Sequence, residues 1–292
     1  MKILITGSNG QVGTCLVNQL ANTGHDVLAL DRDKLDITDS EQVMSAVRDY
    51  CPDVIINAAA HTAVDKAESE SELAFAINRD GPQNLAQAAQ QVNAAILHIS
   101  TDYVFAGNKV GSYLESDDTD PQGVYGKSKL EGELAVVSSC DKHIILRTAW
   151  VFGESGNNFV KTMLRLAQSR DSLGVVGDQF GGPTYAGDIA AALIHIATAV
   201  VEQGNSDFGT YHFSGLPHVS WAQFAQTIFD KALEQSVLSS KPIVNSITTA
   251  DYPTPAKRPE NSRLDTQKIT QTFGIAASDW QAALCHLDDY MA

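Results

Sequence analysis

Long hydrophobic runs are scarce in this sequence. Hydrophobic residues make up 43% of the 292 residues, but they occur in short segments such as Val54–Ile56 and Ile144–Leu146. A membrane-spanning helix needs about 20 consecutive apolar residues. The N-terminal segment Met1–Gly7 leads directly into a glycine-rich turn, whereas a signal peptide would carry a longer apolar segment and a cleavage site. We therefore expect no membrane partner and a cytoplasmic location.

Clusters of basic residues are also scarce. The chain has 35 acidic and 20 basic residues, which gives a formal net charge of −15, and no basic run is longer than Lys257–Arg258. An acidic surface repels phosphodiester backbones, so nucleic acid is not an expected partner. A small phosphorylated ligand remains compatible with this charge, because it needs only a few local cations and backbone N–H groups.

Closely spaced metal-binding residues are missing as well. The four cysteines, Cys15, Cys51, Cys140 and Cys285, form no C-x-x-C pair, which favours four reduced thiols. The histidines, among them His61, form no H-x-x-x-H pair. The sequence therefore predicts no metal site.

The first half of the chain alternates predicted strands with predicted helices. Such alternation is typical of parallel strands joined by right-handed crossovers, so we predict an α/β fold with a doubly wound, Rossmann-type sheet. The predicted strands are Lys2–Thr6, Asp26–Leu30, Val54–Asn57, Ala94–Ile99 and His143–Val151. The predicted helices are Gln11–Thr23, a helix capped by Asp39 or Ser40 and ending at Tyr50, Ser71–Gln91, and Val124–Ser138.

The second half is less regular. Its predicted elements are helices Asn158–Gln168, Ala186–Ala199 and Trp221–Leu233 (capped by Ser220), strand Tyr211–Ser214, and a loop at Tyr252–Pro255. We predict a dinucleotide-binding domain over residues 1–150 and a smaller C-terminal α+β substrate domain over residues 151–292. Parts of this second domain are expected to pack back on the first.

The first predicted turn has the composition of a dinucleotide site. Gly7, Gly10 and Gly13 follow a strand and open a helix, with Gln11 and Val12 between the last two. Such a turn lets the backbone approach a pyrophosphate, and the helix N-terminus presents N–H groups to it.

The end of the second predicted strand bears on the choice of coenzyme. Asp31 lies 18 residues after Gly13, where a carboxylate can accept hydrogen bonds from the adenosine ribose of NAD. Arg32 could instead contact the 2′-phosphate of NADP, so NADH and NADPH both stay open.

Tyr125 and Lys129 are four residues apart on a predicted helix, so they share one face. A phenol with a pKa of about 10 is a weak acid at neutral pH. A nearby ammonium would lower that pKa and could also hold the nicotinamide ribose. A hydroxyl of Ser100 or Thr101, at the end of the fourth strand, could hold a substrate carbonyl oxygen. These residues predict the reduction of a keto group by a nicotinamide coenzyme.

The Gly-x-x-Gly-x-x-Gly spacing is the form found in the extended short-chain dehydrogenase/reductase superfamily. Nearly the whole chain resembles one of its families, the dTDP-4-dehydrorhamnose reductases. The stretches that carry this resemblance, besides Gly7–Gly13, are Asn57–Glu68, Ser100–Phe105, Val124–Lys129, Arg147–Val151, Gly156–Phe159 and Tyr252–Leu264. Of these, Asn57–Glu68 and Arg258–Leu264 separate the family from general sugar-nucleotide epimerases.

The resemblance implies reduction of the C4 keto group of dTDP-4-dehydro-β-L-rhamnose, in the synthesis of rhamnose and polysaccharide precursors. Residues 151–292 would then mainly bind the sugar nucleotide. The implied catalytic residues are Thr101, Tyr125 and Lys129. The implied cofactor contacts are Gly10, Gln11, Val12, Asp31, Asp36, Ile37, Ala60, His61, Thr62, Tyr125 and Lys129. The implied substrate contacts are Thr101, Asp102 and Trp150.

Three further residues are predicted from their chemistry alone. Asn158, Arg258 and Arg263 are candidate donors for a diphosphate or a pyrimidine. Structural roles are open for several site residues: Trp150 could pack in the core, Arg258 could be a surface charge, and His61 could support its turn.

The resemblance leaves the metal and the assembly open. Some relatives bind magnesium through glutamates at a dimer contact, but one such region carries Cys15 and Gly187 here. That site is therefore not predicted, magnesium stays uncertain, and we expect a monomer or a homodimer.

Two other functions are compatible with the same fold. A sugar-nucleotide epimerase or dehydratase would keep and recycle its NAD, although Tyr103 follows Asp102 where a dehydratase more often has glutamate. The regulatory subunit of methionine adenosyltransferase is a related protein that binds a dinucleotide without a settled reaction.

Overall fold

The structure, a computed structural model, describes residues 1–291 and confirms the predicted α/β fold. Its strands are β1 (Lys2–Thr6), β2 (Asp26–Leu30), β3 (Val54–Asn57), β4 (Ala95–Thr101), β5 (His143–Thr148), β6 (Val151–Phe152), β7 (Ser172–Val176), β8 (Phe180–Gly181), β9 (Thr184–Tyr185), β10 (Gly209–His212), β11 (Val219–Ser220), β12 (Ile243–Ile247) and β13 (Asn261–Ser262). The central sheet has the order β2-β1-β3-β4-β5-β10 within the described residues, and all its neighbouring strands are parallel.

The helices are α1 (Gln11–Leu20), α2 (Ser40–Tyr50), α3 (Val64–Ala67), α4 (Ser71–Phe75), α5 (Gly81–Gln91), α6 (Val124–Ser139), α7 (Phe159–Ala167), α8 (Ala186–Val201), α9 (Trp221–Glu234), α10 (Gln267–Phe273) and α11 (Trp280–Ala283). A π-helical segment, Ala76–Asp80, joins α4 to α5. Short 3-10 turns occupy Asp102–Val104, Thr249–Asp251 and Leu287–Tyr290.

Both faces of the central sheet are covered, which makes the fold doubly wound. Alternate residues of β1 point to opposite faces: Ile3 and Ile5 join the core under α1 and α8, whereas Leu4 joins the core under α2 and α5. The strands can be apolar on both faces because no face of such a sheet meets water. The strand order reverses between β1 and β3, the point at which open α/β sheets bind ligands.

Local capping confirms two predicted helix starts. The side chain of Asp39 accepts hydrogen bonds from the backbone of Glu41 and Gln42 at the start of α2. Ser220 forms a reciprocal capping box with Gln223 at the start of α9.

Several predicted element boundaries are wrong in detail: α1 ends at Leu20 rather than Thr23, and the strand predicted over Tyr211–Ser214 spans Gly209–His212. The strand predicted over His143–Val151 ends at Thr148, because Trp150 adopts a left-handed backbone with φ of 51° that breaks the strand. The helix predicted over Ser71–Gln91 is interrupted by the π-helical segment.

The C-terminal half forms a second core around α7, α9 and α11. Its strands form small sheets, including the order β11-β8-β13 and the pair β7–β12. Residues 186–212 return to the central sheet, since α8 packs on α1 and β10 pairs with β5. The domain boundary near residue 150 stays a prediction.

A buried ion pair ties α6 to β5. Arg147 Nε and Nη2 donate to the two carboxylate oxygens of Glu133, at 2.9 and 2.6 Å. The two side chains are only 6% and 5% exposed, and the guanidinium also lies over the ring of Phe105. This pair anchors the helix that carries Tyr125 and Lys129.

Three sequence-based expectations concern the chain as a whole. Each helix within residues 1–291 is too short or too polar to cross a membrane. All four cysteines have free thiols. In the same part of the chain, no group of three or more His, Cys, Asp or Glu side chains is arranged to hold a metal ion.

Candidate active site

The glycine loop between β1 and α1 is packed so tightly that side chains are excluded. Gly7 has a φ of 70°, and a Cβ atom there would lie 2.6 Å from the backbone nitrogen of Ala59. A Cβ atom on Gly13 would lie 2.1 Å from the carbonyl oxygen of Gly7. Gly10 occupies the N-cap of α1 and brings no side chain over the first N–H groups of the helix. These residues fit a pyrophosphate, which such a helix N-terminus binds through its backbone.

We expect Gly13→Ala to raise the KM for the nicotinamide coenzyme about tenfold or more, because the added methyl group must displace the backbone of Gly7. Steady-state kinetics at varied coenzyme concentration would measure this. Gly24→Ala is the control for backbone strain away from the loop: its φ of 77° is unfavourable for alanine, but the added Cβ has open space around it, so the KM should not change. An unchanged KM in the Gly13 variant would contradict a role of this loop in coenzyme binding.

The predicted adenosine-ribose residues lie around the end of β2. Asp31 Oδ2 accepts from Asn9 Nδ2 at 2.8 Å, and its Oδ1 accepts from the backbone of Asp33 at 3.1 Å. The side chain is therefore held in place at the rim of the glycine loop, beside the exposed Arg32. Further along the chain, Asp36 Oδ1 accepts hydrogen bonds from the backbone and the hydroxyl of Thr38, and Ile37 is buried against α5.

The loop after β3 carries Ala60, His61 and Thr62. The backbone N–H of His61 donates to Asn78 Oδ1 at 2.8 Å, and Asn78 Nδ2 donates back to the His61 carbonyl at 3.0 Å. His61 Nε2 lies 3.2 Å from Glu70. Asn78 also reaches Ser128 on α6, at 3.0 Å. The π-helical segment thus places a buried amide that fixes this loop relative to α6, and sequence periodicity gives no signal for it.

The three predicted catalytic residues come together at the carboxyl end of β4. Tyr125 and Lys129 are buried on α6, and Thr101 is buried at the end of β4. The hydroxyl of Thr101 donates to Asp102 Oδ1 at 3.0 Å, and the Thr101 side chain acts on the pKa of the Tyr125 phenol. Lys129 Nζ donates to the carbonyl of Ile99 at 2.7 Å. A proton donor, a hydroxyl and an amine therefore share one buried location.

The electrostatics of these residues differ from the sequence-based expectation. Burial raises the pKa of Tyr125, although the hydrogen bond with Thr101 acts in the opposite direction. Burial lowers the pKa of Lys129 to about 8. The expected net lowering of the Tyr125 pKa is therefore wrong, because desolvation outweighs the stabilisation of the phenolate by Lys129, whose amine contacts Ile99 and His98. Tyr125 consequently keeps its proton at neutral pH, as a proton donor must.

A cavity of about 700 Å³ lies beside these residues. Its wall includes Tyr103, whose ring meets that of Tyr125 edge-on with centroids 5.4 Å apart. Three of the predicted ligand contacts also line it: Thr62, Trp150 and Arg258. The volume suits a ligand the size of a sugar nucleotide.

Trp150 presents an aromatic surface to the cavity. Its indole stacks on that of Trp221, with ring centroids 3.5 Å apart and planes 12° apart. Gly181 makes room for it, since a Cβ there would lie 2.6 Å from the indole. Trp221 was not predicted as a site residue; it follows the cap of α9, and only the rarity of tryptophan in this chain, three residues in all, could have drawn attention to it.

Arg258 belongs to the cavity wall rather than to the outer surface. Its Nη2 donates to Asp65 Oδ2 at 2.6 Å, and Nη1 lies 3.5 Å from the hydroxyl of Tyr103. Asp102 lies in the turn after Thr101, outside the residues that line the cavity, and burial raises the pKa of its carboxyl to about 6. The cavity wall thus combines the Arg258–Asp65 ion pair and a second cation, Arg170, with its aromatic side chains.

The other two candidate donors are engaged elsewhere. Asn158 caps α7 by accepting from the backbone of Lys161, and its amide donates to Gln11 and to the carbonyl of Gly153. Arg263 donates to Asn261 and lies over the ring of Phe180. Their roles as ligand donors stay predictions.

A protein-family model described as the RmlD substrate binding domain matches residues 1–291. The chain belongs to this family. Its RmlD-family relatives include the dTDP-4-dehydrorhamnose reductase of Aggregatibacter actinomycetemcomitans, 56% identical over 99% of both chains. The enzyme of the same name from Escherichia coli K12 is 43% identical over 97% of this chain and 96% of its own.

Solved structures agree with the fold of this RmlD-family chain. A dTDP-4-dehydrorhamnose reductase from Clostridium acetobutylicum is 42% identical, covers 99% of both chains and has a TM-score of 0.91. The Bacillus anthracis reductase, crystallised in complex with NADP, is 38% identical over 97% of this chain and 96% of its own, with a TM-score of 0.89. The Rossmann-type architecture expected from the sequence is confirmed by these likenesses.

Proposed function

We propose that this protein is an NAD(P)H-dependent oxidoreductase that reduces the C4 keto group of dTDP-4-dehydro-β-L-rhamnose to give dTDP-β-L-rhamnose. The observation that carries the proposal is the meeting of Thr101, Tyr125 and Lys129 beside a cavity with an aromatic wall. The names of full-length relatives at up to 56% identity support the particular sugar.

The glycine loop and the end of β2 would hold the dinucleotide. The exclusion of side chains at Gly7 and Gly13 supports phosphate binding at this loop. Asp31 suits the ribose hydroxyls of NADH, whereas Arg32 beside it and the NADP complex of the Bacillus anthracis relative support NADPH. We propose that both coenzymes are used. When bound, the reduced nicotinamide supplies the hydride that C4 of the sugar receives.

The residues of the chain supply the proton and the orientation. Thr101 turns its hydroxyl from Asp102 Oδ1, donates a hydrogen bond to the C4 oxygen, and so holds the carbonyl next to Tyr125. Tyr125 gives its phenolic proton to that oxygen as the alkoxide develops, so that the C=O bond becomes CH–OH. Lys129 in its ammonium form stabilises the phenolate that remains. The desolvated surroundings of these groups strengthen each of these interactions.

The remaining surfaces have proposed roles too. Trp150 and Trp221 offer a flat apolar wall for the pyrimidine, and Arg258 offers a cation for the diphosphate. We also propose that the protein acts in the cytoplasm as a monomer or a homodimer. The four free thiols are in keeping with a reducing compartment.

The test is the oxidation of NADH and of NADPH with a panel of dTDP- and UDP-linked 4-keto sugars. We expect one molecule of NADH or NADPH to be oxidised for each molecule of dTDP-4-keto-rhamnose consumed. The UDP-linked sugars should be reduced more slowly. An epimerase or dehydratase would convert sugar without net oxidation, and a regulatory subunit would bind coenzyme without turnover. Either outcome would reject the proposed reaction.

A further inference from the structure

A buried chain of hydrogen bonds runs from the end of β1 to Lys129. Thr6 Oγ1 donates to Asn57 Oδ1 at 2.7 Å. Asn57 Nδ2 lies 2.9 Å from His98 Nδ1, and His98 Nε2 lies 3.2 Å from Lys129 Nζ. Asn57 and His98 are fully buried and Lys129 is 2% exposed. None of Thr6, Asn57 or His98 has a part in the proposed reaction, so the chain requires its own explanation.

The direction of these hydrogen bonds follows from the backbone N–H of Ala59, a group that can only donate. This N–H donates to Asn57 Oδ1 at 3.1 Å, so the carbonyl side of the Asn57 amide faces the donors Ala59 and Thr6. The amide nitrogen of Asn57 must then face His98 as a donor. His98 Nδ1 accepts from it, which places the single proton of the neutral imidazole on Nε2.

This proton is aimed at Lys129. An ammonium group has only donors, so a histidine Nε2–H forms a hydrogen bond with Lys129 only when the lysine is a neutral amine. The carbonyl of Ile99, by contrast, accepts from either form of the lysine. The contact between His98 and Lys129 therefore distinguishes the two protonation states.

We propose that His98 is a positioning residue that favours the amine form of Lys129 over the ammonium form, and that Asn57 fixes the tautomer which makes it do so. The tautomer of His98 is independent of the proposed function, whereas the effect of His98 on activity rests on that function. The ammonium form is the one that stabilises the Tyr125 phenolate, so His98 sets the upper pH limit of the reaction.

The surroundings of Lys129 agree with this direction. Burial lowers the pKa of Lys129 to about 8, with Glu133 acting the other way. Burial and the charge of Lys129 keep the pKa of His98 well below its usual range, so the ring is neutral. The other titratable and charged groups on α6 and the elements packed against it are Tyr125, Lys127, Glu131 and Glu133 on α6, Asp102 and Tyr103 after β4, His143 and Arg147 on β5, Arg79 and Asp80 on the π-helical segment, Asp65 and Lys66 on α3, and Glu72 on α4. Of these, Arg147 is neutralised by Glu133, and Arg79 pairs with Asp80 and Glu131.

The first test reads the tautomer directly in the free protein. ¹⁵N NMR of histidine-labelled protein, with the His98 signals assigned by their loss in His98→Gln, reports which ring nitrogen carries the proton. We expect a protonated Nε2 and an unprotonated Nδ1 from about pH 6 to about pH 9. A proton on Nδ1, or an imidazolium at about pH 6, would overturn the inference.

The second test changes the group that faces Lys129. In His98→Gln both neighbours, Asn57 Nδ2 and Lys129, are donors, so the new amide turns its carbonyl oxygen towards them and accepts from the ammonium. Because the ammonium form is present below the pKa, the fall of kcat/KM at high pH should move upwards by about one pH unit.

His143→Gln is the control for the second test, since His143 lies at the start of β5 and contacts the carbonyl of Cys140. It should leave the pH profile in place. An unmoved profile in His98→Gln would overturn the role of His98. A wild-type protein that oxidises no coenzyme would reject the proposed function instead, while the NMR result would still decide the tautomer.

Discussion

Replacing Tyr125 with phenylalanine is expected to lower kcat/KM about a thousandfold while coenzyme binding survives. The substitution removes only the phenolic oxygen, and the ring keeps its buried position against Tyr103. The loss follows because the developing alkoxide then has no proton donor. Steady-state kinetics would measure the loss, and a fluorescence titration with NADPH would measure binding.

Tyr50→Phe is the control for that experiment. The Tyr50 hydroxyl donates to the carbonyl of Asp26 at 2.7 Å, remote from the site, so its removal should leave turnover unchanged. Turnover retained in Tyr125→Phe would exclude Tyr125 as the proton donor. Loss of both turnover and NADPH binding would instead mean that the phenol holds the coenzyme site together.

Replacing Arg147 with methionine is expected to lower the free energy of unfolding by about 3–5 kcal/mol, as for other buried pairs that lose one partner. The carboxylate of Glu133 is 5% exposed and would be left without its cation. Urea denaturation followed by circular dichroism would measure the loss.

The double variant Glu133→Leu/Arg147→Met separates the charge effect from the packing effect. Removing both charges should restore most of the lost free energy, because no unpaired carboxylate then remains buried. A double variant no more stable than Arg147→Met would show that the contact of Arg147 with Phe105, rather than its charge, carries the stabilisation.

The sequence pattern predicts five of the six strands of the central sheet, because each is a short apolar run bounded by turn residues; the sixth, β10, was predicted two residues late and was not assigned to that sheet. Residues of β1 and β3 are apolar on both faces, and the turns after them contain glycine or alanine. The glycine spacing and the Tyr125–Lys129 spacing are likewise local, so both could be read along the chain. Features that depend on spacing within one helix or one turn are therefore the predictable part of the site.

The remaining parts of the site depend on contacts between distant segments. Trp150, with its left-handed backbone, stacks on Trp221 and uses the space at Gly181, and both of these residues are distant from it in the sequence. Asn78 turns inwards only because a π-helical segment interrupts its helix. The pKa of Tyr125 depends mainly on burial, which spacing alone does not reveal. For this reason the sequence-based expectation of a lowered pKa is wrong.

The stacked indoles of the cavity also give the protein an optical property. Two of its three tryptophans, Trp150 and Trp221, line the cavity, whereas Trp280 is fully buried in the second core. A ligand that enters the cavity changes the surroundings of the first two and leaves the third as an internal reference. The chain therefore carries an intrinsic fluorescence probe for sugar-nucleotide binding, and occupancy can be followed without a label or a coupled reaction.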